Sequence, residues 1–150
     1  MTSRINGRPA RVLLVEDDPG DVELTRETLR DGKVHIELQV VNDGFEALQY
    51  LRKQGDHRDA LMPDLVILDL NLPRKDGREV LREIREDPEL KHLPVVVLTT
   101  SSADEDIVRS YGLGANCYAT KPMGLGEFSK IVKAIQEFWL TVVKLPPNHD

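Results

Sequence analysis

The sequence has one cysteine, no long apolar run and no excess of basic side chains, and each of these absences excludes a class of protein. Because Cys117 is alone, no disulfide can form within the chain, and nothing points to secretion. No segment is apolar for long enough to act as a signal peptide or to cross a bilayer. A formal net charge of -6 argues against a nucleic-acid-binding surface. We therefore expect a cytoplasmic protein that binds neither nucleic acid nor membranes.

The composition that remains is that of an ordinary globular protein. A chain of 150 residues is long enough for one folded domain and too short for two. We expect this domain to span residues 10–144, between a flexible amino-terminal tail over residues 1–9 and a carboxyl-terminal tail over residues 145–150.

Short apolar runs alternate with segments of helical periodicity five times along the chain. This alternation is typical of βαβ units, in which helices cover parallel strands. Because parallel crossovers are right-handed, it predicts an α/β fold, a flavodoxin-like doubly wound (βα)5 parallel sheet in the strand order 2-1-3-4-5. The second helix is expected to carry Phe45, Leu48 and Leu51 on one face. The predicted strands span residues 11–15, 36–41, 65–68, 94–98 and 115–120.

The middle strand places an aspartate where open α/β sheets bind their ligands. Residues 65–68 include no polar side chain, which predicts a strand buried on both faces, and Asp69 follows it directly. Ligands of such sheets lie outside the carboxyl ends of the strands, because loops from neighbouring strands converge there. Pro73 and Gly77 predict a rigid turn from this strand into the next helix.

Two further carboxylates, Glu16 and Asp17, follow the first strand, which is the neighbour of the third in the predicted order. Three carboxylates in one crevice repel one another, and a hard divalent cation relieves that repulsion. Mg2+ suits a site with one or two direct carboxylates and bound water. We expect Asp17 and Asp69 to be direct ligands and Glu16 to act mainly through water, with a further oxygen from the backbone carbonyl of Asn71.

The same aspartate is a candidate nucleophile, since an aspartate can attack phosphorus and become an aspartyl phosphate. Lys121, after the fifth strand, would pair with Asp69 before the reaction and with the phosphoryl oxygens after it. Thr99, after the fourth strand, offers a hydroxyl that moves toward the added group, and Tyr118 would fill the space it leaves. A cis peptide bond before Pro122 would aim the lysine into the crevice.

At these residues the chain resembles the receiver domain of two-component response regulators, over roughly residues 10–143. Four segments carry the resemblance: residues 12–18, 64–77, 94–99 and 118–122. The resemblance implies a phosphohistidine of a sensor kinase as phosphoryl donor, magnesium as cofactor, and slow self-catalysed hydrolysis. It implies these roles: phospho-acceptor for Asp69, magnesium binding for Glu16 and Asp17, switching for Thr99 and Tyr118, and phosphoryl contact for Lys121.

Two details refine the resemblance. Residues 71–79 and 138–146 are similar to those of stand-alone regulators that partner bacterial phytochromes, which implies a phytochrome-type histidine kinase as the sensor. Thr100 departs from the small residue that many receivers carry at this position, and its extra methyl group beside Asp69 would alter the access of water. The lifetime of the phosphate is therefore left open.

The last predicted helix, residues 125–143, carries an apolar stripe that is longer than the strands it would cover. One interpretation is that the amino-terminal tail folds back over the overhanging turns. The other is a two-fold homodimer through Phe138, Trp139 and Val142, which the resemblance favours. No effector domain follows in the sequence, so we expect the output to be a changed surface that an unknown partner protein reads.

Three other functions are alternatives, and the second of them, a flavin-binding module, shares this sheet order. A phosphatase with an aspartyl-phosphate intermediate needs a general acid two residues after the nucleophile, where this chain has Asn71. A flavin-binding module cradles a phosphate after the first strand, where the carboxylates of Glu16 and Asp17 would repel it. A phosphate-independent interaction domain would not require the set of Asp17, Asp69, Thr99 and Lys121.

Overall fold

The structure is a computed structural model that describes residues 9–31, 35–99, 112–120 and 125–137. The sequence pattern also predicts a short helix over residues 104–111; this segment and the last turns of the helix predicted to residue 143 lie outside these ranges. The described elements alternate in chain order: β1 (Ala10–Val15), α1 (Pro19–Arg30), β2 (Ile36–Val41), α2 (Gly44–Leu51), a short 3-10 helix (Gly55–His57), β3 (Leu65–Leu68), α3 (Gly77–Glu86), β4 (Val95–Thr99), β5 (Cys117–Thr120) and α4 (Leu125–Glu137).

The five strands form one parallel sheet in the order β2-β1-β3-β4-β5, which confirms the predicted fold and strand order. The middle strand, β3, pairs with β1 on one side and with β4 on the other. All four of its side chains are buried, as its lack of polar residues predicted. Burial of side chains of this size stabilises a fold by about 1.5–3 kcal/mol each, so β3 anchors the centre of the sheet.

Helices cover both faces of the sheet, as a doubly wound fold requires. On one face, Leu29 of α1 and Val132 and Ile135 of α4 pack against the strands. On the other face, side chains of α2 and α3 do so, Leu48 and Leu81 among them. Apolar side chains of α1, α2, α3 and α4 are therefore packed within the fold, among them Val132 and Ile135 of the α4 stripe.

Phe45 was expected to share the buried face of α2 with Leu48 and Leu51, and this was wrong. Its side chain is 45% exposed, whereas the two leucines are buried. The buried stripe of α2 is Gly44, Ala47, Leu48 and Leu51, at the spacing of three and four residues that one helix face requires. Phe45 lies one residue past this stripe, about 100° around the helix, and therefore faces outward.

The fifth strand begins at Cys117, two residues later than its apolar pattern indicated, because the preceding residues hold a turn. Gly114 has a φ of +99°, and its carbonyl accepts a hydrogen bond from Arg85 Nε at 2.8 Å. The same guanidinium donates to the carbonyls of Lys91 and Leu93 and to Asn116 Oδ1 at 2.6 to 2.9 Å. Arg85 thus ties α3 to the segments that enter β4 and β5.

Candidate functional site

The ends of β1 and β3 place their acidic residues side by side. Val15 pairs with Leu68 in the register of the two strands, so the residues that follow them leave the sheet at the same level. The N–H of Asp69 donates to the carbonyl of Val15 at 3.1 Å, and the N–H of Glu16 donates to the carbonyl of Val41 at 3.0 Å. The chain direction of a parallel sheet therefore brings together carboxylates that are 53 positions apart.

Glu16, Asp17 and Asp69 form one cluster, with a carboxylate oxygen of each within 4.8 Å of the others. Glu16 and Asp69 are buried, 3% and 8% exposed, whereas Asp17 is exposed. Carboxylate oxygens at this spacing are the donor set of a hard divalent cation, and an exposed member leaves room for water or phosphate in the coordination shell. The residues present therefore fit Mg2+ or a cation of similar hardness.

Local hydrogen bonds to the backbone two residues ahead set the directions of the two buried carboxylates. The carboxylate of Glu16 accepts from the N–H of Asp18 at 3.2 Å, and Asp69 Oδ1 accepts from the N–H of Asn71 at 3.1 Å. Asp18 in turn caps α1, since its side chain accepts from the N–H of Gly20 at 2.9 Å. The two buried carboxylates, Glu16 and Asp69, are thus each oriented by the backbone of the loop that follows them.

The loop from Asp69 to α3 approaches its own beginning so closely that only glycine fits at its end. The N–H of Gly77 donates to the carbonyl of Leu70 at 2.9 Å. A Cβ on Gly77 would lie 2.3 Å from the carbonyl oxygen of Asp69 and 2.6 Å from Leu70 Cα. The sequence predicted that Gly77 permits a turn, but the structure shows that Gly77 is required here because a side chain would have no space. The left-handed conformation in this loop belongs to Arg74, with a φ of +65°.

Two contacts with α2 hold the loop from outside, and sequence reasoning missed both. The guanidinium of Arg74 lies 4.8 Å from the centre of the Phe45 ring and 3.2 Å from a carboxylate oxygen of Asp43, the cap of α2. Gly44 permits the second contact, because a Cβ there would lie 2.1 Å from the carbonyl oxygen of Lys75. The pair Asp43-Gly44 predicted a turn, but nothing in the sequence indicated that it contacts Arg74 and Lys75, 31 residues further along the chain.

A group of half-buried charges continues from this loop along α3. Lys75 pairs with Glu83, and Arg52 bridges Glu83 and Asp87 at 3.4 and 3.5 Å. The hydrogen bond from Lys75 lowers the pKa of Glu83 below its usual value of 4.5, and the charges of Lys75 and Arg52 act in the same direction. The network therefore joins the loop after Asp69 to the end of α2.

Only part of the predicted site lies within the residues that the structure describes. Thr99 is the last residue of β4 and lies opposite Thr120 of β5. Tyr118 lies in β5 opposite Val97, half-buried against the α2 and α3 side of the core. Asn71 donates its N–H to Asp69, and its side chain is exposed. Six predicted residues lie outside the described ranges: Thr100, Lys121, Pro122, Phe138, Trp139 and Val142.

Within the described ranges, the helices are too short or too polar to cross a membrane.

The chain is similar to known proteins along nearly its whole length. Residues 12–135 match the family described as the response regulator receiver domain. Response regulator Rcp1 of Synechocystis sp. is 47% identical over 138 residues, which cover 92% of this chain and 94% of Rcp1.

Two solved structures share the fold closely. The phosphorylated cyanobacterial phytochrome response regulator RcpA is 50% identical, with a TM-score of 0.90 over 93% of this chain and 99% of RcpA. The Mn2+-bound form of Rcp1 is 47% identical, with a TM-score of 0.90 over 93% of this chain and all of Rcp1.

Proposed function

Because the chain belongs to the response regulator receiver domain family, we propose that it accepts a phosphoryl group on Asp69 from a phosphohistidine of a sensor kinase. The change would alter a surface that a partner protein reads. One observation carries the proposal: Asp69 lies at the carboxyl end of the central strand within an acidic cluster shared with Glu16 and Asp17. The protein would act as a cytoplasmic signalling protein whose own catalysis is limited to gaining and losing this group.

In the transfer, a carboxylate oxygen of Asp69 attacks the phosphorus of the donor. A new O–P bond forms as the N–P bond of the phosphohistidine breaks, and the imidazole leaves with the electron pair and takes up a proton. The N–H of Asn71 holds the carboxylate in one orientation, which reduces the entropy cost of reaching the reactive geometry. Later attack by water would release phosphate and restore the carboxylate.

The acidic cluster would hold Mg2+ through Glu16, Asp17 and Asp69, with the backbone carbonyl of Asn71 as a further donor. When bound, the cation neutralises charge on the cluster and on the phosphoryl oxygens. Within this set we assign direct contacts to Asp17 and Asp69, and a water-mediated one to Glu16. The relative Rcp1 was solved with Mn2+, which supports a divalent cation here.

We assign the response to the added charge to residues around the ends of β4 and β5. A phosphoryl group of roughly -1.5 to -2 charges would draw in the hydroxyl of Thr99 and pair with Lys121. Tyr118 would move toward the space that Thr99 leaves, and the methyl group of Thr100 would alter the access of water to the phosphate. A cis bond before Pro122 would direct the lysine toward the site.

We assign the upstream and downstream partners from the relatives. RcpA is a phytochrome response regulator, which supports a phytochrome-type histidine kinase as donor for this chain. The downstream reader is a protein whose identity stays open. We also propose that two copies associate through the carboxyl-terminal helix, with Phe138, Trp139 and Val142 at the interface, because these residues continue an apolar stripe past the length of a strand.

The test is labelling with radioactive acetyl phosphate in the presence of Mg2+. We expect stoichiometric, acid-stable and base-labile labelling of the native chain, and no labelling of Asp69→Asn or of the native chain with excess EDTA. Asp56→Asn is the matched control, because Asp56 is an exposed aspartate in the short 3-10 helix and should label normally. Full labelling of Asp69→Asn would place the acceptor elsewhere, and steady phosphate release from phosphomonoesters would favour the phosphatase instead.

A further inference from the structure

β2, at one edge of the sheet, carries few of the features that commonly protect edges, and its single charged side chain is Glu37. β2 has β1 on one side and, among the described residues, no strand on the other. Its six residues pair with β1 in continuous register, without a bulge. None of them is a lysine or a proline, which native proteins use to prevent edges from pairing. The edge of β2 is therefore regular enough to pair with a further strand.

The hydrogen bonds to β1 identify the backbone groups that face this edge. The carbonyl of His35 accepts from the N–H of Ala10 at 2.9 Å, and the carbonyl of Val41 accepts from the N–H of Glu16 at 3.0 Å. Because successive residues of a strand point their backbone groups to opposite sides, residues 37 and 39 also face β1. The groups that face outward belong to three residues with half-buried apolar side chains: Ile36, Leu38 and Val40.

A cleft of about 260 Å³ lies beside this edge on the face covered by α1. Its floor is apolar and its rim is basic, although the whole chain carries a net charge of -6. Arg30 and His35 are exposed, and Arg26 is half-buried with one weak ion pair to Glu23 at 3.9 Å. The floor is formed by Leu29, Ile36 and Leu38.

A second cleft, of about 310 Å³, lies beside the same edge on the opposite face. Glu37 and Gln39 of β2 line it, together with Asp56 and Asp59 from the loop before β3. The ring of His57 forms one wall and packs edge-on against Tyr50, with ring centres 5.3 Å apart. Carboxylates outnumber cations in this lining, so its charge is opposite to that of the α1 cleft.

We propose that the β2 edge binds an extended segment of another protein as an additional strand. A strand added there would direct alternate side chains into the two clefts, which is the arrangement by which sheet-edge recognition obtains specificity. Charge complementarity defines the segment: apolar and acidic side chains toward α1, and basic or amide side chains toward Glu37 and Asp59. The basic rim of the α1 cleft would contact the acidic side chains.

A second copy of the chain is a poorer occupant of this edge. An antiparallel pair of β2 strands, related by a two-fold axis perpendicular to the sheet, keeps the α1 helices on the same face. Arg26 and Arg30 of the two α1 helices would then lie on the same face near the pairing axis, and charges of the same sign at close range repel one another. An acidic segment of a different protein meets no such repulsion.

Two peptides of identical composition test the charge pattern. The first is acetyl-Glu-Lys-Val-Thr-Ile-Lys-Glu-Thr-amide, which presents acidic and apolar side chains on one face and basic ones on the other. The second, acetyl-Lys-Glu-Val-Thr-Ile-Glu-Lys-Thr-amide, exchanges the charges between the faces. With fluorescein in place of the acetyl group on each peptide, we expect the first peptide to bind about tenfold more tightly than the second at low salt, measured by fluorescence anisotropy. Equal affinities would overturn the proposal.

Amide hydrogen exchange followed by NMR tests the mode of binding. With saturating first peptide, the N–H groups of Ile36, Leu38 and Val40 should exchange at least tenfold more slowly, whereas those of Glu37 and Gln39 should change little. Absence of added protection would overturn the proposal. Protection in the dilute protein without peptide would show that the chain covers its own edge, and protection that rises with protein concentration would show a second copy; either result also overturns it.

Variants separate the edge from the rest of the molecule. The double variant Arg26→Glu, Arg30→Glu should lose the preference for the first peptide, whereas Arg82→Glu, an exposed arginine of α3, should keep it. Leu38→Pro should abolish binding without loss of a hydrogen bond to β1, because its N–H faces outward. If Leu38→Pro fails to fold in a thermal melt, the arginine variant decides. Asp69→Asn should bind the first peptide as tightly as the native chain does. Failure of peptide binding would therefore overturn the proposal for the β2 edge and leave the proposed phosphoryl transfer to Asp69 untouched.

Discussion

The substitution Gly77→Ala tests whether the loop after Asp69 depends on a glycine for space. The added methyl group would lie 2.3 Å from the carbonyl oxygen of Asp69 and 2.6 Å from Leu70 Cα. Both neighbours are backbone atoms, which cannot rotate away as a flexible side chain would. Restoring an ordinary contact of about 3.4 Å requires the loop and the start of α3 to separate by about 1 Å.

Two effects should follow, one on stability and one on phosphoryl transfer. Forced overpacking costs about 1–3 kcal/mol, and loss of the hydrogen bond from Gly77 to Leu70 adds about 1 kcal/mol. The free energy of unfolding should therefore fall by about 2–4 kcal/mol, and the melting temperature by about 5–15 °C for a chain of this length. A shift of about 1 Å at the nucleophile should also slow labelling by acetyl phosphate by up to about 10²-fold.

The matched control is Gly20→Ala in the first turn of α1, where a Cβ would make only an ordinary contact, 3.4 Å from Asp18 Oδ1. We expect this control to change the free energy of unfolding by less than about 1 kcal/mol. The measurements are urea unfolding followed by circular dichroism and the initial rate of labelling with acetyl phosphate. If Gly77→Ala matches the control in both, the close approach is not a constraint, and this account of the loop is wrong.

Three further predictions concern the charged groups and the last helix. Arg85→Met should lower the free energy of unfolding by about 2–4 kcal/mol in urea, since it removes four hydrogen bonds; an unchanged midpoint would contradict this role. The hydrogen bond from Lys75 lowers the pKa of Glu83 in the folded chain. The pair therefore stabilises the fold fully at pH values above the unfolded pKa of Glu83, near 4.5, and this stabilisation is lost as the pH falls through the pKa of Glu83 in the folded chain. The stability difference between the native chain and Glu83→Gln should therefore shrink from about pH 6 to about pH 3, and a constant difference would refute it. Trp139→Ala should weaken self-association, and an unchanged mass in sedimentation at micromolar concentration would argue against the proposed interface.

Much of the fold was predictable because its signals are local. The alternation of apolar runs and helical segments specified the strands and the helices between them, and the handedness of parallel crossovers then limited the order of the sheet. Asp69 could be singled out because the apolar run of residues 65–68 ends at it. The error at Phe45 has a local cause as well, since a short helix of eight residues leaves its buried stripe uncertain by one position.

By itself, the sequence determined the parallel sheet, the positions of the acidic residues at the ends of β1 and β3, and the family to which these motifs point. Only the tertiary structure decided that Glu16, Asp17 and Asp69 lie within 4.8 Å of one another, that Gly77 provides space, and that the edge of β2 separates clefts of opposite charge. The physical reason is the distance along the chain over which the deciding interactions act. Periodicity and turn chemistry are fixed by neighbours along the chain, whereas these distances are set by the packing of segments that are tens of residues apart.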